Sequence, residues 1–167
     1  MAITKIQSES LNLSDNYDFT GTVTGAGFAI DEFFRYGLTS DQSLANATTV
    51  KINLDKALVS NSNFDTTTNY RYTVPSGKAG KYIIGASGNW LSAGDFNNCM
   101  FIIYKNGTGL TSSNIRQEHY ENHYVDMLVE LEVGDYIELY ARQESGGAVS
   151  FRASDGTAFL QGYRIGE

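Results

Sequence analysis

The stretch that decides the fold lies between residues 125 and 142 and reads VDMLVELEVGDYIELYAR. In its two arms, apolar and polar side chains alternate with a period of two, as in a strand with one buried face. The apolar faces carry Val125, Met127, Val129 and Leu131 on the first arm and Ile137, Leu139 and Ala141 on the second. The polar faces carry Asp126, Glu130, Glu138 and Arg142. A Gly134-Asp135 turn separates the arms, so the pattern predicts a hairpin in an antiparallel β protein and leaves no room here for a βαβ unit.

The composition is typical of a single β-rich domain. The chain has 167 residues, which is enough to bury a core without a disulfide. Its 11 tyrosines, 9 phenylalanines and 17 glycines, with one proline, fit strands joined by tight turns. The single cysteine, Cys99, lies among apolar residues with no base near it in the sequence. It is therefore predicted to be a buried packing thiol rather than a nucleophile.

The charge distribution excludes two kinds of binding partner. The net charge is −7, and the basic residues are scattered rather than clustered. This argues against a nucleic-acid partner and against a polybasic membrane anchor, since both need concentrated positive charge. The first ten residues contain no apolar segment, so no signal peptide is expected. Apolar runs of four or five residues are too short to span a bilayer, so no membrane insertion is expected.

The chain divides into two parts by composition. Residues 1–27 are rich in Ser, Thr, Asn and Gly and bury too little apolar surface to fold alone, so we expect an extended N-terminal attachment arm. Its spaced apolar residues are Ile3, Ile6, Leu11, Leu13 and Phe19. The head domain is predicted to span residues 28–167. Residues 21–27 have the composition of a joint between the two.

Strand-like runs recur through the head domain. They lie at residues 50–54, 70–74, 80–87, 99–104, 149–151 and 158–165, in addition to the two arms described above. Asn106-Gly107, the strongest short turn dipeptide, ends one of them. Residues 31–37 fit a short helix or a strand equally well. Eight to ten short strands in this length predict an all-β antiparallel sandwich or jelly roll.

Candidate chemistry is sparse. On a strand, His119, Glu121 and His123 would share a face, which could form a metal site or a ring of protonatable groups where several chains meet. Simple exposure is the preferred interpretation, and no metal or cofactor is predicted. No acid pair or activated nucleophile stands out, so no catalytic residue is predicted and the chain is expected not to be an enzyme.

Three aromatic residues are candidates for ligand contact. Trp90 lies beside small and polar residues near a turn, where it could stack on a sugar ring. It could equally plug the core or contact another subunit, which is the favoured interpretation. With Tyr120 and Tyr124 it forms the candidate contact of a glycan-binding surface.

Four fragments resemble the globular head of complement one-q, a relative of tumour necrosis factor. They are VPSGKAGKYII at 74–84, YKNG at 104–107, LEVGDYIEL at 131–139 and LQGY at 160–163. They occur in the family's order and cover roughly residues 34–165. The resemblance implies a jelly roll.

The N-terminal segments ITKIQSESLNL at 3–13 and FTGTVTG at 19–25 resemble the lead-in of bacteriophage tail-fibre and other virion proteins. This resemblance implies a homotrimer docked on other virion proteins through residues 1–27, made in the host cytoplasm and carried on the particle surface. Docking would use the five spaced apolar residues of the arm. The candidates to fill the three-fold axis are Tyr82, Leu139, Tyr140 and Tyr163, unless each packs inside its own subunit.

The sequence thus predicts a non-enzymatic, trimeric virion structural protein, either a tail or head fibre or a capsid decoration protein. The alternative is a module that binds a host-surface glycan or another receptor. A polysaccharide-degrading enzyme is the remote third hypothesis.

Overall fold

The computed structural model describes residues 30–60, 62–91, 96–117 and 122–166, and every regular element in these ranges is a β-strand. The first seven strands are β1 Phe33–Gly37, β2 Gln42–Leu44, β3 Val50–Lys51, β4 Lys56–Ser60, β5 Phe64–Asp65, β6 Arg71–Thr73 and β7 Gly80–Gly88. The others are β8 Trp90–Leu91, β9 Phe96–Lys105, β10 Thr108–Gln117, β11 His123–Leu131, β12 Tyr136–Gln143, β13 Val149–Phe151 and β14 Phe159–Gly166. The open alternative at residues 31–37 is resolved as a strand, β1.

The strands form two main sheets. The first sheet has the order β11-β7-β14-β1-β4, and the second has the order β10-β9-β12-β6-β5, with β3 also paired to β12. A small third sheet has the order β2-β13-β8. All strand pairs among the described residues are antiparallel. The prediction of an all-β antiparallel fold is confirmed, whereas the arm at residues 1–27 lies outside the described residues and stays a prediction.

The hairpin prediction at residues 125–142 is wrong, although the strands themselves are confirmed. β11 pairs with β7 in the first sheet, whereas β12 pairs with β9 in the second. The turn between them therefore crosses from one sheet to the other, closed by a hydrogen bond from the Asp135 amide to the Glu132 carbonyl at 3.0 Å. Period-two alternation reports that a strand has one buried face, not which strand lies beside it. Both arms bury that face in the same core, from opposite sides.

The turn at Asn106-Gly107 forms as predicted. Both residues have positive φ, 52° and 78°, as a type I′ turn requires. The turn joins β9 to β10 and sets Thr108 opposite Lys105. The Asn106 side chain also bonds the neighbouring crossover, donating to Asp135 Oδ1 at 2.7 Å and accepting from the Tyr136 amide at 2.9 Å.

The core lies between the two main sheets and is largely aromatic. Phe34 of the first sheet stacks on Tyr72 of the second, with ring centroids 4.3 Å apart. Strand β14 runs so close to this stack that a methyl group on Gly162 would lie 2.7 Å from the Phe34 ring. Cys99 is buried, as predicted.

Candidate functional site

The outward face of the first sheet carries an apolar row made of Leu128, Ile83, Tyr163 and Phe33. The strand register sets Leu128 opposite Ile83, Ile83 opposite Tyr163, and Tyr163 opposite Phe33, so the row crosses four neighbouring strands. Their chain neighbours on β7 and β1 point into the core, which turns these side chains outward. Leu128 is 63% exposed and the other three are partly exposed.

Further apolar side chains extend this surface. Tyr124, 50% exposed, lies on the same face of β11 and leans over Gly85, where any side chain would collide with the tyrosine ring. Val59, 58% exposed, lies on the edge strand β4. Three large apolar side chains of this sheet, Leu128, Tyr124 and Val59, are thus at least half exposed. Clusters of exposed apolar side chains commonly mark a contact with another protein.

A polar row flanks the apolar one. It places Asp126 beside Gly85 on β7, and Gly85 in turn faces Gln161. Beyond Gln161 lies Arg35, whose guanidinium sits 3.8 Å from the centre of the Phe159 ring. The face therefore has an apolar centre with polar groups of both charges beside it, which is how protein interfaces are commonly built.

The structure corrects two of the four predicted trimer contacts. Tyr82 and Leu139 have no exposed surface, because both lie in the core of their own chain. The Tyr82 hydroxyl donates to the Lys78 carbonyl at 2.6 Å, which explains how so polar a side chain is accommodated there. Tyr163 belongs to the apolar row, but Tyr140 lies on the second sheet, beside Tyr104 at 4.1 Å between ring centroids. The structure therefore does not bring the four residues together.

Trp90 plugs the core, in agreement with the favoured interpretation, and is not available for the alternative role of ligand contact. Its side chain is fully buried, stacked on Phe101 with centroids 5.7 Å apart and edge-on to Phe151 at 5.6 Å. Strands β8 and β13 pair there and carry the indole into the core. Tyr124 is exposed on the first sheet, as described above. Tyr120 lies outside the described residues.

Several other predicted residues fall outside the described ranges. These are His119, Glu121 and the arm residues Ile3, Ile6, Leu11, Leu13 and Phe19. His123 begins β11, with its ring 6.1 Å from that of Phe101. Among the residues that the structure describes, no group of three His, Cys, Asp or Glu side chains is placed to hold a metal ion.

A buried acidic group lies beneath one end of the apolar row, and sequence reasoning missed it. Glu32, 4% exposed, accepts a hydrogen bond from the Tyr72 hydroxyl at 3.1 Å. Burial raises the pKa of Glu32, and the hydrogen bond from Tyr72 offsets part of that effect. Next to it, the hydrogen bond from Lys78 at 2.9 Å holds the pKa of Asp31 below its usual range.

Comparison with known proteins identifies the fold of the chain but no family to which it belongs. No family model matches the chain, and none of the curated protein sequences matches it significantly. Solved structures do match. Eiger TNF from S. frugiperda has a TM-score of 0.60 at 11% identity, over 81% of this chain and 94% of that one. Murine APRIL at pH 5.0 has a TM-score of 0.62 at 11% identity, over 80% and 98%. Murine APRIL at pH 8.0 gives 0.61 at 12% identity, again over 80% and 98%.

These similarities bear on the fold alone. They support the jelly roll that the resemblance to the complement one-q head implies. In the described part of the chain, no helix has the length and apolar character to cross a membrane.

Proposed function

We propose that this chain is a non-enzymatic structural protein of a virion, a fibre or a decoration protein, that trimerises through the apolar row and docks through its N-terminal arm. The observation that carries the proposal is the row itself. Leu128, Ile83, Tyr163 and Phe33 span four strands on the outward face of the first sheet, where Leu128 is 63% exposed and the other three are partly exposed.

The energetics favour covering this face. Burying a fully exposed large apolar side chain contributes about 1.5–3 kcal/mol. Leu128, which is 63% exposed, gains most from being covered, and the three partly exposed side chains of the row add smaller amounts. The N-terminal resemblance implies a homotrimer, which supports three copies around an axis. Three chains would carry a net charge of three times −7, or −21, which keeps such an assembly soluble through its outer surface.

The virion context is supported by the N-terminal resemblance. Residues 3–13 and 19–25 match the lead-in of bacteriophage fibre proteins in sequence character. An arm that cannot bury its own apolar residues gains order by docking on another protein. The head would then project from the particle surface.

The mass of the protein in solution tests the assembly. We expect light scattering on the full chain to give three times 18.3 kDa, about 54.9 kDa. Leu128→Glu should give a monomer, because it buries an unpaired charge at the most exposed position of the row. Val133→Glu is the matched control, since Val133 is 54% exposed but lies in the crossover turn, outside the row. A monomeric wild type, or a Leu128→Glu variant that stays trimeric, would overturn the proposal.

Deleting residues 1–27 tests the docking. The truncated protein should still form trimers but should no longer enter virus particles. Normal incorporation would show that attachment does not use the arm.

A further inference from the structure

A polar cleft of about 330 Å³ is lined by residues outside the apolar row. It lies where the chain leaves β1, passes through β2 and approaches β4, with the residue preceding β6 as one wall. Its polar lining consists of Ser40, Asp41, Ser43, Asn53, Asp55 and Tyr70. None of these residues belongs to the apolar row, so this cleft is independent of the proposed trimer.

Backbone amides hold both carboxylates of the polar cleft in place. The Thr39 amide donates to Asp55 Oδ1 at 2.7 Å, and the Ala153 amide donates to Asp41 Oδ1 at 2.7 Å. Each bond uses one oxygen and fixes the direction of the other. The cleft is therefore preformed, which lowers the cost of ordering side chains when a ligand binds.

The side chain of Gln42 ties the two chain segments of the cleft together. It donates to the Lys51 carbonyl at 2.8 Å and accepts from the Asn53 amide at 2.8 Å. Its two polar groups are thus engaged within the protein. Gln42 supports the shape of the cleft and leaves recognition to its neighbours.

The aromatic wall is held by a separate set of bonds. Asp65 accepts from the amides of Thr67, Thr68 and Asn69 at 3.0, 2.9 and 3.1 Å, which closes the loop before Tyr70. These bonds also hold the pKa of Asp65 far below its usual range. Tyr70 itself has a φ of 50°, a conformation that a bulky residue adopts only when its surroundings enforce it.

Many hydrogen-bonding groups in this cleft remain unused. Within the described part of the chain, the second oxygens of Asp41 and Asp55, three hydroxyls and the side-chain amide of Asn53 make no hydrogen bond to another protein group. The three hydroxyls are those of Ser40, Ser43 and Tyr70. Unbonded donors and acceptors thus line one cleft to which Tyr70 also belongs, and its volume suits a small ligand.

We infer that the polar cleft binds a neutral saccharide. Vicinal sugar hydroxyls donate to carboxylate oxygens in strong, charge-assisted bonds, while an amide and hydroxyls both donate and accept. A tyrosine ring supplies the apolar surface on which the C–H face of a sugar packs. The two carboxylates disfavour phosphate, sulfate and uronate. They are also too few for Ca²⁺, which takes six to eight oxygen ligands.

Saturation-transfer NMR on the full chain tests this inference. The probes are glucose, galactose, mannose and N-acetylglucosamine, with glucuronate as the anionic comparison. We expect at least one neutral sugar to bind with a dissociation constant on the order of 1 mM, as suits a ligand of this size, and glucuronate not to bind. Binding should persist in the Leu128→Glu variant, since the apolar row is not involved.

Matched substitutions locate the site. Asp41→Asn and Asp55→Asn each keep an oxygen for the backbone amide but replace the outward acceptor, so each should weaken binding about tenfold. Asp126→Asn makes the same change in charge on the first sheet and should leave binding unaltered. The inference is overturned if no neutral sugar binds, if both cleft variants bind as the wild type does, or if only calcium chloride perturbs the cleft.

Discussion

The outward faces of the two main sheets differ in how their aromatic and apolar side chains are covered. On the second sheet, charged side chains of the same chain do the covering. The Arg71 guanidinium lies 4.0 Å from the centre of the Tyr136 ring, and Lys51 lies 5.6 Å from that of Tyr140. Lys51 also forms an ion pair at 2.6 Å with the buried carboxylate of Glu138.

The first sheet leaves its apolar row open by comparison. Leu128, at its end, is 63% exposed, and the charged residue Arg35 lies over Phe159 rather than over the row. A sheet face that supplies its own cations is complete in the single chain. We therefore propose that the first sheet, which carries the 63% exposed Leu128, is the one that assembles.

The largest loss of folding free energy should come from Lys51→Met on the second sheet. The change leaves the Glu138 carboxylate, 3% exposed, without its cation, and breaking a buried pair costs about 3–5 kcal/mol of folding free energy. Urea unfolding measures the loss, and light scattering should show the assembly mass unchanged. Lys56→Met is the control, because its exposed pair with Asp155 contributes at most about 1 kcal/mol. Equal losses in the two variants would contradict this account of the second sheet.

A matched pair of tyrosine substitutions tests the two faces against each other. Tyr163→Ser removes a ring from the apolar row and should weaken the trimer by about 1 kcal/mol, roughly fivefold in the dissociation constant, because the ring is already partly buried in the single chain. Tyr140→Ser removes the same ring from the second sheet, where it packs against Tyr104, and should leave the dissociation constant unchanged. Sedimentation over a range of concentrations measures both. If Tyr140→Ser has the larger effect on assembly, the wrong sheet has been assigned.

The sequence predicted the strands well but their partners poorly, as residues 125–142 show. Alternation reports a buried face, and both arms have one. Which strand lies alongside depends on contacts between residues far apart in the chain, such as Leu139 with Ile103, and no local pattern contains that information. The Asn106-Gly107 turn was predictable because a two-residue turn is decided locally.

The apolar row was only partly predictable for the same reason. Its four residues come from separate strands, and only the register aligns them. One signal was nevertheless present, since Leu128 is apolar on a face that otherwise carries Asp126 and Glu130. The polar cleft gave no such signal, because ordinary turn residues form it only after the segments before β4 and β6 meet.

Two glutamates are buried, one near each main sheet, and we expect the stability of the protein to depend on pH through Glu32. Glu138 is paired with a lysine, whereas Glu32, under the first sheet, has the Tyr72 hydroxyl at 3.1 Å. Burial raises the pKa of Glu32 above its ordinary value of 4.5. As pH rises from 4.5, the unfolded chain therefore releases this proton before the folded chain does, and the free energy of unfolding falls. Asp31 and Asp135, whose pKa values are lowered, act in a separate window below pH 3.8.

Glu32→Gln should remove this fall, because the amide keeps an acceptor for Tyr72 but carries no charge. Urea unfolding of both proteins from pH 4.5 to neutral measures the free energy of unfolding. As pH rises, the stability of the variant should increase relative to that of the wild type. Tyr72→Phe sharpens the test. It removes the hydrogen bond that lowers the pKa of Glu32, so the fall should extend to higher pH than in the wild type. Parallel pH profiles for the wild type and Glu32→Gln would mean that Glu32 keeps its ordinary pKa in the folded protein.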